Sequence, residues 1–205
     1  MVDLYVQGGG FMHPILVMWI LGLAIGIAKI ILLFNAGVNT RKFMASIRTA
    51  LKEGGINSAL EICESTKGPV ASIMHAGLSR AKDGVESAEK AITNAGSIEM
   101  AFLERGMIWL GFIIVVAPML GFTGTVWGMI LAFEAIKEAN DISPAVVAGG
   151  ISQALLTTLF GLVVAMTVQF FFNFATAKID KLIIDMEEAS AELVDTLIDM
   201  QGARS

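Results

Sequence analysis

Cysteine and charge are both scarce in this sequence. One cysteine, Cys63, occurs in 205 residues, which excludes a disulfide framework and a zinc site built from several thiolates. Charged residues make up 16% of the chain, whereas ordinary soluble domains contain about 25%. The net charge is −5 and the basic residues form no cluster, so the sequence predicts no nucleic-acid partner.

Apolar residues, 55% of the chain, fill long stretches without charge. The stretches 107–133 and 142–177 contain no charged residue. A helix crosses the bilayer core of about 30 Å with roughly 20 apolar residues, so each stretch predicts a spanning helix. A third, 14–35, is interrupted by Lys29, whose flexible side chain is expected to reach the nearby interface. The predicted fold class is an all-α integral membrane protein with three transmembrane helices.

The positions of Lys and Arg predict the orientation. Nine of these residues lie between the first and second apolar stretches and three follow the last, whereas Lys137 is alone in the turn between the second and third. Basic loops face the cytoplasm, so the amino terminus is expected outside and the carboxyl terminus inside. The start, MVDLYVQ, has no positive signal region, so the first helix is expected to be retained.

Seven segments follow from this topology. They are an outer amino-terminal segment 1–13, transmembrane helix 14–35, cytoplasmic helical domain 36–106, transmembrane helix 107–133, periplasmic turn 134–144, transmembrane helix 145–174 and cytoplasmic helix 175–205. Two of the three membrane helices are expected to extend into the cytoplasm. His13 and His75 fall on opposite sides of the membrane, and no catalytic triad, metal cluster or phosphate loop is present, so we predict no enzyme and no cofactor.

Gly and Pro divide the cytoplasmic domain into helices. They are expected at 41–52, 56–65, 70–82 and 85–105, the last running into the second span, with breaks at 54–55 and 68–69. After the third span in the sequence, apolar residues recur at steps of three and four and form a stripe along one helix face. The stripe is predicted to pack against the helix 85–105 or a neighbouring subunit. The stripe comprises Ile179, Leu182, Met186, Ala189, Leu193, Thr196 and Met200.

Small residues line one face of each of the last two spans. They recur at steps of three or four, as Ala117, Gly121, Gly124 and Gly128 in one span and Ala154, Thr158, Gly161 and Ala165 in the other. Such faces let helices approach closely in lipid and are predicted to be packing surfaces. Gln153 and Thr157 share a neighbouring face, and the Gln153 amide needs a partner or water, which suggests a hydrated cavity or an interhelical contact.

At these residues the chain resembles the MotA/TolQ/ExbB proton channel family, in particular its shorter TolQ/ExbB branch. The stretch 118–130, PMLGFTGTVWGMI, resembles the family signature of the second span. The stretch 150–162, GISQALLTTLFGL, resembles that of the third. The resemblance implies an inner-membrane motor: a homo-oligomeric ring, expected to be a pentamer, around a single-span ExbD/TolR-like partner, in which proton flow does mechanical work on the cell envelope.

The resemblance also implies functional residues. One threonine in each signature lines the ion route in the family, and the matching positions are Thr125 and Thr158, beside Gln153 and Thr157. Gln153 stands where family members commonly carry a glutamate, and no Asp or Glu lies within the predicted spans. Because an amide does not titrate, the partner is expected to supply an aspartate. The loss of the glutamate leaves open a sodium-driven motor, and a scaffold that assembles an envelope complex without conducting.

Overall fold

The computed structural model describes residues 2–139 and 143–202, and all regular secondary structure in these ranges is helical. The helices are α1 (Val2–Gln7), α2 (Met12–Ala36), α3 (Thr40–Glu53), α4 (Gly55–Ser65), α5 (Pro69–Arg80), a 3-10 turn (Ala81–Asp83), α6 (Val85–Glu104), α7 (Met107–Ala139) and α8 (Pro144–Gly202). Of the predicted segments, residue 1, residues 140–142 of the turn with Asp141, and residues 203–205 with Arg204 lie outside the described residues.

Three helices are long and apolar enough to cross a membrane, as predicted. They are α2, α7 and α8. Large apolar side chains such as Ile20, Phe122 and Phe170 lie on their surfaces, more than half exposed in the single chain. A helix satisfies its interior backbone hydrogen bonds within itself, so only its side chains would meet lipid. Because the exposed side chains here are apolar, these surfaces are suited to contact with lipid.

The chain divides into two compact units. The first unit contains the residues up to Lys29 and Gly106–Phe174, and the second contains Ile30–Arg105 and the residues from Ala175 onward. The core of the first unit joins one side of α2 to α7 and α8. It is formed by the buried residues Ile15, Leu110, Ile113, Ala117, Val164 and Val168.

The second unit contains α3 to α6 and the carboxyl-terminal part of α8, with helix breaks close to those predicted. α4 begins at Gly55 and α5 at Pro69, where proline suits a first helical turn because its missing N–H has no partner there. Gly68 has a φ of +129° and lies so close to the chain that a Cβ there would be 2.7 Å from the Ala36 carbonyl oxygen.

The prediction that the helix 85–105 runs into the second span is wrong. α6 ends at Glu104, Arg105 has an extended ψ of 126°, and α7 begins at Met107. Gly106, between them, has a φ of +90°, a conformation that glycine adopts at little cost and that ends a helix. The predicted helix 70–82 likewise ends early, at Arg80, and gives way to the 3-10 turn.

The apolar stripe on α8 is buried inside the second unit. Ile179, Leu182, Met186, Ala189 and Leu193 are each at most 4% exposed, and Leu197 is buried where Thr196 was predicted. A Cβ on Gly77 of α5 would lie 3.1 Å from the Leu193 Cδ2 and 2.6 Å from the Ile92 Cγ1, so the stripe packs against α5, next to Ile92 of α6.

Two details of the membrane helices differ from expectation. Lys29 is 5% exposed, so its side chain is covered by the chain itself instead of extending freely from the helix. α2 continues to Ala36, so Lys29 is about two turns from the helix end. α7 continues to Ala139, so the first half of the predicted turn 134–144 is helical.

Candidate functional site: the contact between α7 and α8

The predicted small-residue faces of α7 and α8 meet in the first unit. A Cβ built on Gly128 would lie 2.8 Å from the Ala154 backbone nitrogen, and one on Gly161 would lie 2.6 Å from the Ala117 carbonyl oxygen. Real Cβ atoms do not approach backbone this closely, so only glycine fits at these two positions. Gly121, paired with the backbone of Thr157 and Thr158, repeats the arrangement between them.

Of the remaining predicted packing residues, Gly124 and Ala154 line the same contact. Ala154 and Ala165 are buried. Gly124 faces Thr157, since a Cβ on Gly124 would lie 2.6 Å from the Thr157 Oγ1. Residue 117 lies next to residue 161, residue 121 next to 157, and residue 128 next to 154. Because the residue number rises along one helix as it falls along the other, α7 and α8 are antiparallel neighbours in this region.

Thr125 and Thr158 form a hydrogen bond with each other across the contact through their hydroxyl groups. The Thr125 Oγ1 also lies 3.2 Å from the Gly121 carbonyl oxygen and 3.1 Å from that of Ala154. The Thr158 Oγ1 lies 3.3 Å from the same Gly121 oxygen. Both side chains are half-buried, so this group of two hydroxyl and two carbonyl oxygens is partly accessible in the single chain.

Such a group can hold or pass on a cation without bearing charge itself. Each hydroxyl donates one hydrogen bond and accepts others, and hydroxyl and carbonyl oxygens are ligands that hard cations accept. The stretches 107–133 and 142–177 contain no carboxylate, so this part of the chain has no acidic side chain to bind a proton. Among the described residues, no group of three or more His, Cys, Asp or Glu side chains is placed to hold a metal ion.

Thr157 and Gln153 occupy different places. Thr157 is fully buried, and its Oγ1 lies 2.9 Å from the Ala154 carbonyl oxygen and 3.2 Å from that of Gln153. It therefore belongs to the helix contact in this arrangement. Gln153 is half-buried, and its amide lies against Gly9, in the turn before α2. The four predicted pathway residues thus form one pair, Thr125 with Thr158, joined to Thr157 through the Ala154 carbonyl oxygen that the Thr125 and Thr157 hydroxyls share, whereas Gln153 lies apart at Gly9.

Two further glycines of this region are not among the predicted site residues. Gly150 is as tightly placed as Gly128, because a Cβ on it would lie 2.6 Å from the Gly128 carbonyl oxygen. The visible signal was the step of four from Gly150 to Ala154, which extends the small-residue face. Gly9 has a φ of +68°. The feature of the sequence that indicates an unusual backbone conformation there is the run of three glycines from Gly8 to Gly10.

Comparison with known proteins yields one family. Residues 65–188 match the model of the MotA/TolQ/ExbB proton channel family. A biopolymer transport protein ExbB homologue of Methanothermobacter thermautotrophicus is 31% identical over 187 residues, 91% of this chain and 66% of the relative. The biopolymer transport protein ExbB of Xanthomonas campestris is 33% identical over 110 residues, 54% of this chain and 44% of the relative.

A third relative is a TolQ protein, the other kind of protein in the predicted TolQ/ExbB branch. The Tol-Pal system protein TolQ of Haemophilus influenzae is 30% identical over 98 residues, 48% of this chain and 43% of the relative. The chain therefore spans about two thirds of the length of the first relative and less than half of the length of the other two.

Proposed function

Because the chain belongs to the MotA/TolQ/ExbB proton channel family, on its TolQ/ExbB side, we propose that it is an ion-conducting subunit of an envelope motor. With three helices able to cross a membrane, it is a multi-pass protein of the bacterial inner membrane. In the proposed complex, protons move down their gradient past this subunit, and their passage does mechanical work on a cell-envelope partner.

The observation that carries the proposal is the hydroxyl pair of Thr125 and Thr158. These hydroxyls join α7 to α8 in stretches that contain no charge, and the carbonyl oxygens of Gly121 and Ala154 lie beside them. Polar groups at membrane depth are costly and mark ion pathways. We therefore propose that the route passes this pair, with Gln153 at its mouth and Thr157 at the helix contact behind it.

The titrating group is proposed to come from a second protein. No carboxylate lies within the proposed spans, and a proton route in lipid needs a group that titrates. An ExbD/TolR-like partner with one membrane helix would supply an aspartate opposite the threonine pair. This chain would form a homo-oligomeric ring, expected to have five subunits, around the partner helices. The amino terminus would face the periplasm, and the carboxyl-terminal part of α8 would extend into the cytoplasm.

The test replaces one hydroxyl at nearly constant volume. Thr158→Val is expected to assemble normally with the single-span partner but to lower proton flux into proteoliposomes about tenfold, because the barrier rises by roughly one hydrogen bond. The control is Thr167→Val on the same helix, whose hydroxyl lies 2.7 Å from the Val163 carbonyl oxygen of its own helix. Normal flux through the Thr158 variant would refute a conducting role for this residue.

Two alternatives make different predictions in the same experiment. The first alternative, which the amide at Gln153 in place of a carboxylate leaves open, is a scaffold that assembles an envelope complex and conducts nothing. Such a scaffold would show no proton flux with the native chain or with the Thr158→Val variant. Its assembly would depend only on the glycine contact between α7 and α8. A sodium-driven motor would transport when a sodium gradient replaces the proton gradient, because the oxygens around Thr125 and Thr158 also suit a hard cation.

A further inference from the structure

The turn between α1 and α2 is tightly hydrogen-bonded. The Gly8 amide donates to the Leu4 carbonyl at 3.1 Å, the Gly9 amide to Val6 at 3.2 Å, and the Met12 amide to Gly9 at 3.1 Å. Gly9 has a φ of +68°, a conformation that residues with a Cβ rarely adopt. We call residues 8–11 the amino-terminal strap.

The strap contacts both helices of the candidate site. Gly9 lies against Gln153 of α8, so closely that a Cβ on Gly9 would be 2.5 Å from the Gln153 Nε2. Phe11 meets Trp127 of α7, with ring centroids 6.4 Å apart at an angle of 50°. The close approach of the Gln153 side chain and the contact of the two aromatic rings thus place the strap against α8 and α7.

α1 and the start of α2 hold the strap from the other side. The rings of Tyr5 and His13 meet edge to face at 5.6 Å, and the His13 Nδ1 lies 3.2 Å from the Gly10 carbonyl oxygen. Met12 is 1% exposed and fills the space beside Gly8. The strap is therefore an ordered turn and not a loose chain end.

Both contacts lie on one side of the threonine pair. Trp127 follows Thr125 by two residues on α7, and Gln153 precedes Thr158 by five on the antiparallel α8, about 7.5 Å along the helix axis. The two contact residues therefore lie toward the connection between α7 and α8. In the proposed topology this is the periplasmic side, from which protons enter.

We propose that the amino-terminal strap is a lid on the periplasmic end of the ion route, with Gln153 as its latch. This inference rests on the proposed function for what the lid controls. Gln153 then packs against Gly9 when the lid is closed and is not a ligand of the moving ion. The neighbouring glycines Gly8 and Gly10 provide the backbone freedom that opening needs. Each contact is weak enough to break during transport.

The first test locks the strap in place. In a Cys63→Ala background, Phe11→Cys with Trp127→Cys is treated with a short, reducible bismaleimide, in proteoliposomes that also contain the partner. We expect a cross-link within one chain, loss of proton flux, and recovery after reduction. Phe11→Cys with Phe170→Cys is the control and should not cross-link, because Phe170 lies 17 residues beyond Gln153 on α8, about 25 Å along the axis.

The outcomes separate the lid from the proposed function. Cross-linking needs no ion flow, so an absent cross-link overturns the strap contact itself. A cross-linked protein that conducts as well as the untreated one overturns the lid and leaves the channel intact. Absence of flux before any treatment refutes the proposed function and, with it, what the lid would control.

The second test opens the latch with one methyl group. Gly9→Ala places a Cβ against the Gln153 amide at a positive φ, so the strap should detach, and proton flux in proteoliposomes that also contain the partner should rise about threefold or more. Gly10→Ala is the matched control, since a Cβ there meets nothing within 4 Å. If Gly9→Ala fails to fold, Gln153→Ala removes the latch instead. Reduced flux in Gln153→Ala would overturn the latch, because a ligand of the ion lowers flux when it is removed.

Discussion

The two units hold their helices together in different ways. In the first unit α7 and α8 approach through glycines, and each helix contacts the backbone of the other at Gly128 and Gly150. In the second unit α5, α6 and α8 meet through large apolar side chains such as Ile92 and Leu193. Lipid is as apolar as a leucine side chain, so helices in it associate through close contact and hydrogen bonds. Water instead favours the burial of large apolar surfaces.

This difference predicts how each unit responds to added volume. A glycine that faces backbone leaves no atom free to move aside, because helix backbone is fixed by its own hydrogen bonds. A glycine that faces the ends of Ile or Leu side chains leaves neighbours that can change rotamer. Adding one methyl group should therefore cost more stability in the first unit than in the second.

The largest effect is expected for Gly150→Ala in the first unit. The new Cβ would lie 2.6 Å from the Gly128 carbonyl oxygen and 2.8 Å from the Ala132 backbone nitrogen. Overpacking of this kind should lower the free energy of unfolding by about 1–3 kcal/mol. The adjacent Gly149→Ala meets nothing within 4 Å and serves as the control. Thermal unfolding in detergent measures both, and equal stability of the two variants would refute the close helix contact.

A smaller effect is expected for Gly77→Ala in the second unit. Its Cβ would meet the Ile92 Cγ1 at 2.6 Å and the Leu193 Cδ2 at 3.1 Å, atoms of side chains that can turn away. The gain in helix propensity, about 1 kcal/mol, offsets much of the repacking cost, so the net change should stay within about 1 kcal/mol. Gly96→Ala lies on α6 where a Cβ meets nothing within 4 Å, so it should gain the helix propensity without the repacking cost. If Gly77→Ala proves more damaging than Gly150→Ala, the comparison between the units is wrong.

The sequence predicted more of the fold than of the site, for physical reasons. Spanning helices depend on the length of a charge-free stretch, and the breaks before α4 and α5 depend on local Gly and Pro, so both are visible along the chain. The break at Gly106 was missed because one glycine is tolerated within a helix at a cost of about 1 kcal/mol. The pairing of Thr125 with Thr158 depends on the register of two helices, and one sequence without its relatives contains no measure of that register.

The smallest perturbation uses Cys63 to test how well the second unit excludes water. Burial, together with the neighbouring Glu64 carboxylate, raises the pKa of the Cys63 thiol from 9.0 to about 11. Because the thiol ionises less readily in the folded state, its contribution to stability is complete below pH 9 and is lost as the pH rises toward 11. At pH 8 the thiolate is rare, so iodoacetamide should alkylate the folded protein slowly and the unfolded protein fast.

The matched control is Cys63→Ala with Ser65→Cys, which moves the only thiol to an exposed position on the same helix. Iodoacetamide should alkylate this variant at pH 8 at nearly the same rate in the folded and unfolded states. If native Cys63 reacted as fast as Cys at position 65, water would reach the core of the second unit. Helix packing there would then not depend on burial, and the contrast with the glycine contacts of α7 and α8 would lose its physical basis.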